Sequence, residues 1–174
     1  RGVGGAIWCA VIADVSSNAL MLVPTISKGG AVVRNIIARA RREWGISNLP
    51  FTFKSDNEAV FISKDTCEYL DDPATQCLRW HSIPYDHNTN ARAERWVRTA
   101  LDGIRSILYE SGLPGRFWPL AAEFYGIEHS RQHSVPPRIN CADPVPFGTY
   151  GRVLIPPTMF KRPKEESRVT PAMF

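Results

Sequence analysis

Two acidic residues, Asp56 and Glu94, stand where a carboxylate could do chemistry. Asp56 belongs to the polar segment KSDNE, which follows the strand-like run PFTF and precedes the helix-like run AVFISKDTCEYL. A side chain at a strand end is held by a rigid element and still reaches solvent. Glu94 lies among the arginines of a predicted helix, directly after a polar loop that could fold over a groove.

Carboxylates from different elements suit one chemistry above others. Two or three of them can hold a pair of divalent cations roughly 3.5–4 Å apart, which activate a water or hydroxyl and stabilise the leaving oxygen of a phosphodiester. Each residue also has an ordinary interpretation. Asp56 could be a helix N-cap, and Glu94 could form an i,i+4 salt bridge with Arg98. Spacing alone does not decide between these interpretations.

The elements that would position these residues alternate along the chain. Residues 6–14 and 19–25 are apolar runs joined by VSSN, which predicts a β-hairpin. Residues 28–45 carry apolar side chains at helical spacing with arginines opposite, which predicts an amphipathic helix. A third strand near residues 52–56, a helix over 58–70 and a short strand over 76–82 follow. Strands that alternate with helices predict an α/β layer fold.

The second half of the chain changes from helix to extended structure. After a loop over 83–90, apolar residues recur at helical spacing from Ala91 onward, and Gly112 closes the predicted helix. A second helix starts at Pro114, so the two helices are expected to pair. Eight of the fourteen prolines lie between 136 and 171. We therefore divide the chain into a domain of residues 1–135 and a proline-rich extended arm of residues 136–174, with at most a short strand near 151–157.

Composition and charge narrow the class of protein. The 174 residues carry a net charge of +4, which divides into +4 for residues 1–50, −4 for 51–90 and +4 for 91–174. An acidic middle between basic flanks fits a cation site beside a surface for a polyanion, although ordinary solvated faces give the same pattern. No apolar run approaches the ~20 residues of a membrane span, so we expect a soluble intracellular protein with no membrane partner.

The cysteines and histidines argue against another kind of metal site. Four cysteines are scattered without a C-x-x-C pair, which favours reduced thiols over disulfides or a zinc knuckle. His129 and His133 are four residues apart and could share a metal. Solvated helix histidines are the preferred interpretation because no cysteine pair stands at ligand spacing.

Three segments, in this order, resemble the integrase catalytic core of copia-type retrotransposons, a retroviral integrase-like group of the Asp-Asp-Glu superfamily. They are KSDNEAVF, HSIPYDHNTNARAERWVRTALDGIRSIL and SGLPGRFWPLAAEFYGIEHSR, and the resemblance covers about residues 5–135. It implies an RNase H-like mixed sheet flanked by helices, a three-carboxylate site for Mg²⁺ or Mn²⁺, and DNA 3′-processing and strand transfer. It also implies a nuclear location, element-end and target DNA as partners, and a homo-oligomer.

The resemblance assigns roles residue by residue. Asp56 matches the second catalytic Asp and Glu94 the catalytic Glu, so both are expected to be catalytic and metal-binding. Asn57 matches the Asn that follows the Asp. Expected contacts with DNA come from Asn57, Asn90, Arg92, Arg95, Arg98 and Arg105, because guanidinium groups on the helix of Glu94 would meet phosphates. Ala91 stands where the family has Gly, which would stiffen the loop before the catalytic helix.

The first catalytic Asp of the family has no counterpart in these residues. Asp14 ends a strand, yet residues 6–28 resemble the family's second strand, turn and third strand, so we interpret Asp14 as a turn residue. The expected fold therefore lacks its first strand, and the chain alone is expected to be inactive. Two alternatives stay open: a domesticated or decayed integrase domain that binds DNA or protein without catalysis, and another RNase H-like nuclease.

Overall fold

The computed structural model describes residues 1–55, 58–81, 87–135, 145–154 and 169–173, and the fold is a mixed α/β arrangement. The strands in these ranges are β1 (Trp8–Asp14), β2 (Ala19–Thr25), β3 (Phe51–Ser55), β4 (Cys77–His81), β5 (Tyr150–Leu154) and β6 (Val169–Met173). The helices are α1 (Gly30–Glu43), α2 (Lys64–Asp71), α3 (His87–Ser111) and α4 (Trp118–His133). The described strands form three separate pairs, β1–β2, β3–β4 and β5–β6.

The hairpin of β1 and β2 confirms the first sequence prediction. The strands pair antiparallel from Trp8 opposite Thr25 to Asp14 opposite Ala19. Asp14 organises the turn: its Oδ1 accepts hydrogen bonds from the backbone N–H and the Oγ of Ser16 at 3.0 and 2.6 Å, and its Oδ2 accepts one from Ser17 Oγ at 2.5 Å. Asn18 completes the turn at φ 64°, a left-handed conformation that Asn tolerates. Asp14 is thus a turn residue, as predicted.

Alternate side chains of β2 point into two different cores. Ala19, Met21 and Val23 pack with residues of α1, and Leu20 and Leu22 pack with residues of α3 and α4. This alternation follows from the two-residue period of a strand, whose successive side chains point to opposite faces. The hairpin is therefore the middle of three layers, with α1 on one face and the α3–α4 pair on the other. Its apolar run is buried on both sides, which is why it carries almost no polar residues.

Helix α4 lies close against the backbone of β2. Ser130 is fully buried; its Oγ accepts a hydrogen bond from Leu20 N–H at 2.8 Å and donates one to Leu20 C=O at 2.7 Å. Gly126 permits this approach, because a Cβ at that position would lie 3.0 Å from the backbone nitrogen of Leu22. The outer edge of β2 is thereby closed by a helix, which prevents pairing with a further strand there.

The second pair, β3 and β4, is parallel and has one covered and one open face. Phe51 pairs with Cys77 and Ser55 with His81, in register along both strands. Trp80 is 56% exposed and Leu78 is 69% exposed, and both lie on the face that also carries Lys54. Parallel sheets normally bury both faces. This parallel pair differs from that rule, because two large apolar side chains on one face are exposed.

Arg41 connects α1 to the start of β3. The residue is only 7% exposed, and its guanidinium donates hydrogen bonds to the carbonyls of Ser47 and Leu49 at 2.6 and 3.1 Å. The same guanidinium lies over the ring of Phe51, with 4.5 Å from Cζ to the ring centroid. A buried cation is tolerated here because carbonyl oxygens and an aromatic face replace its hydration. Arg41 thus fixes the loop that delivers the chain to β3.

Three predicted helix starts were wrong. Helix α4 begins at Trp118 rather than Pro114, because a separate 3-10 turn over Gly115–Phe117 comes first. Helix α2 begins at Lys64 rather than near residue 58, because Ser63 and Thr66 donate side-chain hydrogen bonds to the carbonyl of Val60 and hold a turn there. Helix α3 begins at His87 rather than Ala91. Extending an existing helix is easy once it has formed, and Ala91 and Ala93 are strong helix formers.

The segment expected to be an extended arm contains an antiparallel pair. Strand β5 overlaps the predicted short strand at residues 151–154, and residues 155–157 of that prediction lie outside the described residues; its partner β6 was not predicted. The start of this region also packs on the helices, since Phe147 lies 5.5 Å from Phe124 between ring centroids. Gly148, at φ 85°, passes close to Ser111 and Leu113 at the end of α3. Proline content alone did not indicate these long-range contacts.

Candidate metal and nucleic-acid site

Helix α3 carries the described part of the predicted site. Glu94 is exposed and lies about two turns into the helix, rather than in the first turn as predicted. The residues Ala93, Glu94, Val97, Arg98, Leu101, Asp102 and Arg105 line an open groove of about 380 Å³ along this helix. Its floor is apolar, because Val97 and Leu101 are 43% and 47% exposed. A carboxylate thus stands at one end of a shallow groove with an apolar floor and a charged rim.

The predicted DNA-binding arginines are all on the surface of α3. Arg92, Arg95, Arg98 and Arg105 are exposed. Arg105 also lies 3.6 Å from Asp102 in an exposed i,i+3 ion pair, which contributes little to stability. Within the described part of the chain, Glu94 and Arg98 do not form the i,i+4 ion pair that was the ordinary interpretation of Glu94. Both side chains are therefore available to other ligands.

Asp56 and Asn57 lie outside the described residues, and Asn90 is described only as part of the α3 backbone. The residues around Asp56 are nonetheless placed. Strand β3 ends at Ser55, immediately before Asp56, as predicted. Among described residues, the buried Oγ of Ser55 has no hydrogen-bond partner. The distance between the two predicted metal ligands is thus not part of the described geometry.

Lys28 links the two sheets near the end of β3. Its Nζ lies 2.6 Å from Glu58 Oε1 and 4.2 Å from the ring centroid of Trp8. Trp8 is the first residue of β1, and Glu58 comes three residues after the end of β3. Lys28 thus contacts one residue at the start of β1 and one in the segment that follows β3. Among the described strands, β1 pairs only with β2, and β3 pairs only with β4.

An aromatic and histidine cluster, which sequence reasoning missed, joins α3 to α4. His129 is 9% exposed, and its ring lies 5.5 Å from Trp96, 5.8 Å from Tyr125 and 4.7 Å from His133 between centroids. Trp96 is two residues from Glu94, so this cluster supports the helix at the candidate site. The spacing of Trp96, Tyr125, His129 and His133 on two adjacent helices was the available signal.

The prediction of solvated histidines was wrong for His129 and right for His133, which is exposed. Burial lowers the pKa of His129 below its usual range, and the nearby His133 lowers it further. The Nδ1 of His129 is buried and, among described residues, has no hydrogen-bond partner. A neutral imidazole in an aromatic setting satisfies this environment better than an imidazolium would.

Two observations concern the predicted metal site and the possibility of a membrane span. In the described ranges, no three His, Cys, Asp or Glu side chains come together in a group that could hold a metal ion. The described helices also include none that is both long enough and apolar enough to cross a bilayer.

No model of a known protein family matches the chain, and no curated protein matches it.

Proposed function

We propose that this chain is the core of a metal-dependent polynucleotidyl transferase that resembles the integrase catalytic core of copia-type retrotransposons. In the complete protein it would carry out DNA 3′-processing and strand transfer in the nucleus, with Mg²⁺ or Mn²⁺. The observation that carries this proposal is the divided sheet: among the described strands, an antiparallel pair and a parallel pair do not pair with each other, and Lys28 contacts a residue in or next to each pair.

The open edges support an RNase H-like sheet completed by one more strand. Lys28 contacts both the start of β1 and the segment after β3, which fits two strands that run antiparallel to each other; a strand inserted between them and antiparallel to β1 would run parallel to β3. Together with β2 and β4, this strand would give a five-stranded mixed sheet. The exposed apolar side chains of Leu78 and Trp80 fit an incomplete core of this kind. We propose that the additional strand precedes this segment in the parent polypeptide and carries the first catalytic Asp.

The chemistry follows from the residues that would hold the cations. Carboxylate oxygens are the donors that Mg²⁺ and Mn²⁺ prefer, and the exposed carboxylate of Glu94 can act as a ligand without a change of helix conformation. Asp56, next to the end of β3, would provide the second carboxylate. When bound, the cations lower the pKa of an attacking water or hydroxyl and stabilise the leaving oxygen. Glu94 is kept in position by the packing of Trp96 on α4.

The DNA-binding part of the proposal rests on the exposed arginines of α3. Arginines on one helix contact phosphates without reading sequence, so binding should be weak, sequence-tolerant and steeply salt-dependent. Replacing both Arg95 and Arg98 with Ala should reduce the slope of log affinity against log salt by about 1–2. Fluorescence anisotropy with a labelled DNA duplex measures the slope. An unchanged slope would remove these two arginines from the DNA interface.

The metal site is tested first on the 174-residue chain. Mn²⁺ should broaden NMR signals near Asp56 and Glu94 only weakly, because two carboxylates supply part of a coordination shell. Glu94→Gln and Asp56→Asn should each reduce this broadening. Glu110→Gln is the matched control, since Glu110 is exposed on the same helix. Equal broadening in the Asp56→Asn/Glu94→Gln double variant would contradict the assignment.

Activity is tested on a longer polypeptide that includes the upstream strand, with Mn²⁺ and pre-processed element ends. We expect strand-transfer product that Glu94→Gln reduces by orders of magnitude and Glu110→Gln leaves unchanged, because losing one metal ligand removes stabilisation of the transition state. The 174-residue chain alone should give no product. Product from this chain that disappears with Asp14→Asn would refute the interpretation of Asp14 as a turn residue.

A specific observation favours a second candidate function, a DNA-binding domain without catalysis. Helix α3 runs through Ala91, where the resemblance would place a glycine before the catalytic helix. A helix at this position leaves less freedom for a loop to close over DNA than glycine would give. The two candidates differ in one result: the second predicts salt-dependent DNA binding with no strand-transfer product from the longer polypeptide either.

A further inference from the structure

The α3 groove has a charge pattern that is complementary to itself. Going along the helix, its rim carries Glu94, Arg98, Asp102 and Arg105, which alternate in sign as negative, positive, negative and positive. Val97 and Leu101 form its exposed apolar floor. Exposed apolar side chains next to charges of alternating sign are typical of a helix that pairs with another helix.

We propose that this groove, defined by Glu94, Val97, Arg98, Leu101, Asp102 and Arg105, binds a second copy of itself in an antiparallel, two-fold arrangement. Two antiparallel helices related by a two-fold axis place residue i opposite a residue equally far beyond the axis. Glu94 then pairs with Arg105 of the second copy, Arg98 with Asp102, and Val97 with Leu101. The midpoints of the three pairs are 99.5, 100 and 99, so an axis near 99.5 places Glu94 directly opposite Arg105 and leaves the other two pairs offset by about one residue.

The angular positions of these side chains agree with this arrangement. At about 100° per residue, the six side chains cover an arc of about 140°, with Val97 and Leu101 on one flank and Arg98 and Asp102 on the other. In an antiparallel two-fold pair, each flank of one helix meets the same flank of its partner. The apolar flank therefore meets the apolar flank, and the flank of Arg98 and Asp102 meets its own complement. Glu94 and Arg105 lie between the two flanks.

The interface is small, so the dimer is weak and sensitive to salt. One helix face buries less surface than a stable protein interface needs, and its ion pairs are exposed. The exposed ion pair between Asp102 and Arg105 within one helix is 3.6 Å long and competes with the intermolecular pairs. Such a dimer forms at high protein concentration and low ionic strength.

This inference deepens the proposed function, because the dimer would cover Glu94 and occupy Arg98 and Arg105. Arg105 of the second copy lies at Glu94, which would hold a cation. Glu94 and Asp102 of the second copy lie at Arg105 and Arg98, which would hold phosphates. DNA and the second copy would therefore compete for α3. The dimer is then an inhibited form of the protein, and DNA binding dissociates it. The dimerisation itself does not depend on the proposed function.

Sedimentation equilibrium of the DNA-free protein at low salt tests the pairing. Arg98→Asp should weaken dimerisation by about tenfold. The introduced aspartate would face Asp102 of the other copy, and the two-fold axis makes this unfavourable contact occur twice. The charge-swapped variant Arg98→Asp/Asp102→Arg should restore it, since each Asp again faces an Arg. Arg92→Asp is the matched control: it makes the same charge change on an exposed residue outside the groove and should leave dimerisation unchanged.

Thermal unfolding by circular dichroism establishes that each variant is folded. A monomer at all concentrations, or a dimer that Arg98→Asp leaves intact, would overturn the pairing. Failure of the charge-swapped variant to restore the dimer while folded would overturn the antiparallel register. Addition of a DNA duplex should dissociate the wild-type dimer. DNA that binds the dimer without dissociating it would overturn the competition, whereas absence of DNA binding contradicts the proposed function and leaves the pairing standing.

Discussion

Replacing Ser130 with Ala tests how α4 closes the edge of β2. The substitution removes both hydrogen bonds to Leu20 and leaves a fully buried N–H and C=O without these partners. Each unpaired buried group costs ~1–3 kcal/mol, and the higher helix propensity of Ala returns up to ~0.5 kcal/mol. With two such groups, we expect the free energy of unfolding to fall by about 2–5 kcal/mol. For a domain of this size, the midpoint temperature should drop by roughly 4–20 °C.

Urea unfolding followed by tryptophan fluorescence measures this difference, with an m-value equal to that of the wild type. Ser106→Ala is the matched control, because Ser106 is exposed on α3 and its Oγ donates only to Glu110 at 3.2 Å. The control should change stability by less than about 0.5 kcal/mol. If Ser130→Ala were as stable as Ser106→Ala, the close contact between α4 and the β2 backbone would be wrong.

Two further predictions concern the same helix. Burial lowers the pKa of His129 in the folded protein, so the unfolded state binds more protons as pH falls below the usual value of about 6.5, and stability should decrease with it. His129→Phe should flatten this dependence in urea unfolding from pH 8 to 5, and a dependence that disappears in His133→Phe instead would refute it. Gly126→Ala should lower the free energy of unfolding by about 1–2 kcal/mol although Ala favours helix, because its Cβ would lie 3.0 Å from Leu22 N. Gly115→Ala is the control, because no atom lies within 4 Å of a Cβ at that position. If Gly126→Ala were as stable as the control or more stable, this packing would be contradicted.

The sequence by itself determined the type and order of the elements with strong local signals. The hairpin was predicted from two apolar runs joined by a polar turn, α1 from apolar residues at helical spacing on one face, and the helix after α3 from a proline at its start. Asp14 was predicted as a turn residue because residues 6–28 resemble two strands joined by a turn, and in the structure its carboxylate accepts a hydrogen bond from the Ser16 N–H. The position of Asp56 after a strand and the exposure of Glu94 and the arginines on α3 belong to the same class of local information.

Tertiary structure decided the features that depend on residues far apart in the chain. Ser130 and Leu20 are 110 residues apart. No local pattern indicates that a hydroxyl on a helix takes the hydrogen bonds that a neighbouring strand would otherwise make with Leu20. His129 was expected to be solvated because no cysteine pair stands at ligand spacing, yet in the structure it is buried against Trp96 and Tyr125. Packing and side-chain hydrogen bonds also decide where α3 and α2 start and which strand pairs with β5. Residue propensities do not predict these interactions. Which strand edges stay open is a property of the assembled sheet, because backbone groups pair through space and carry no signature of their partner in the sequence.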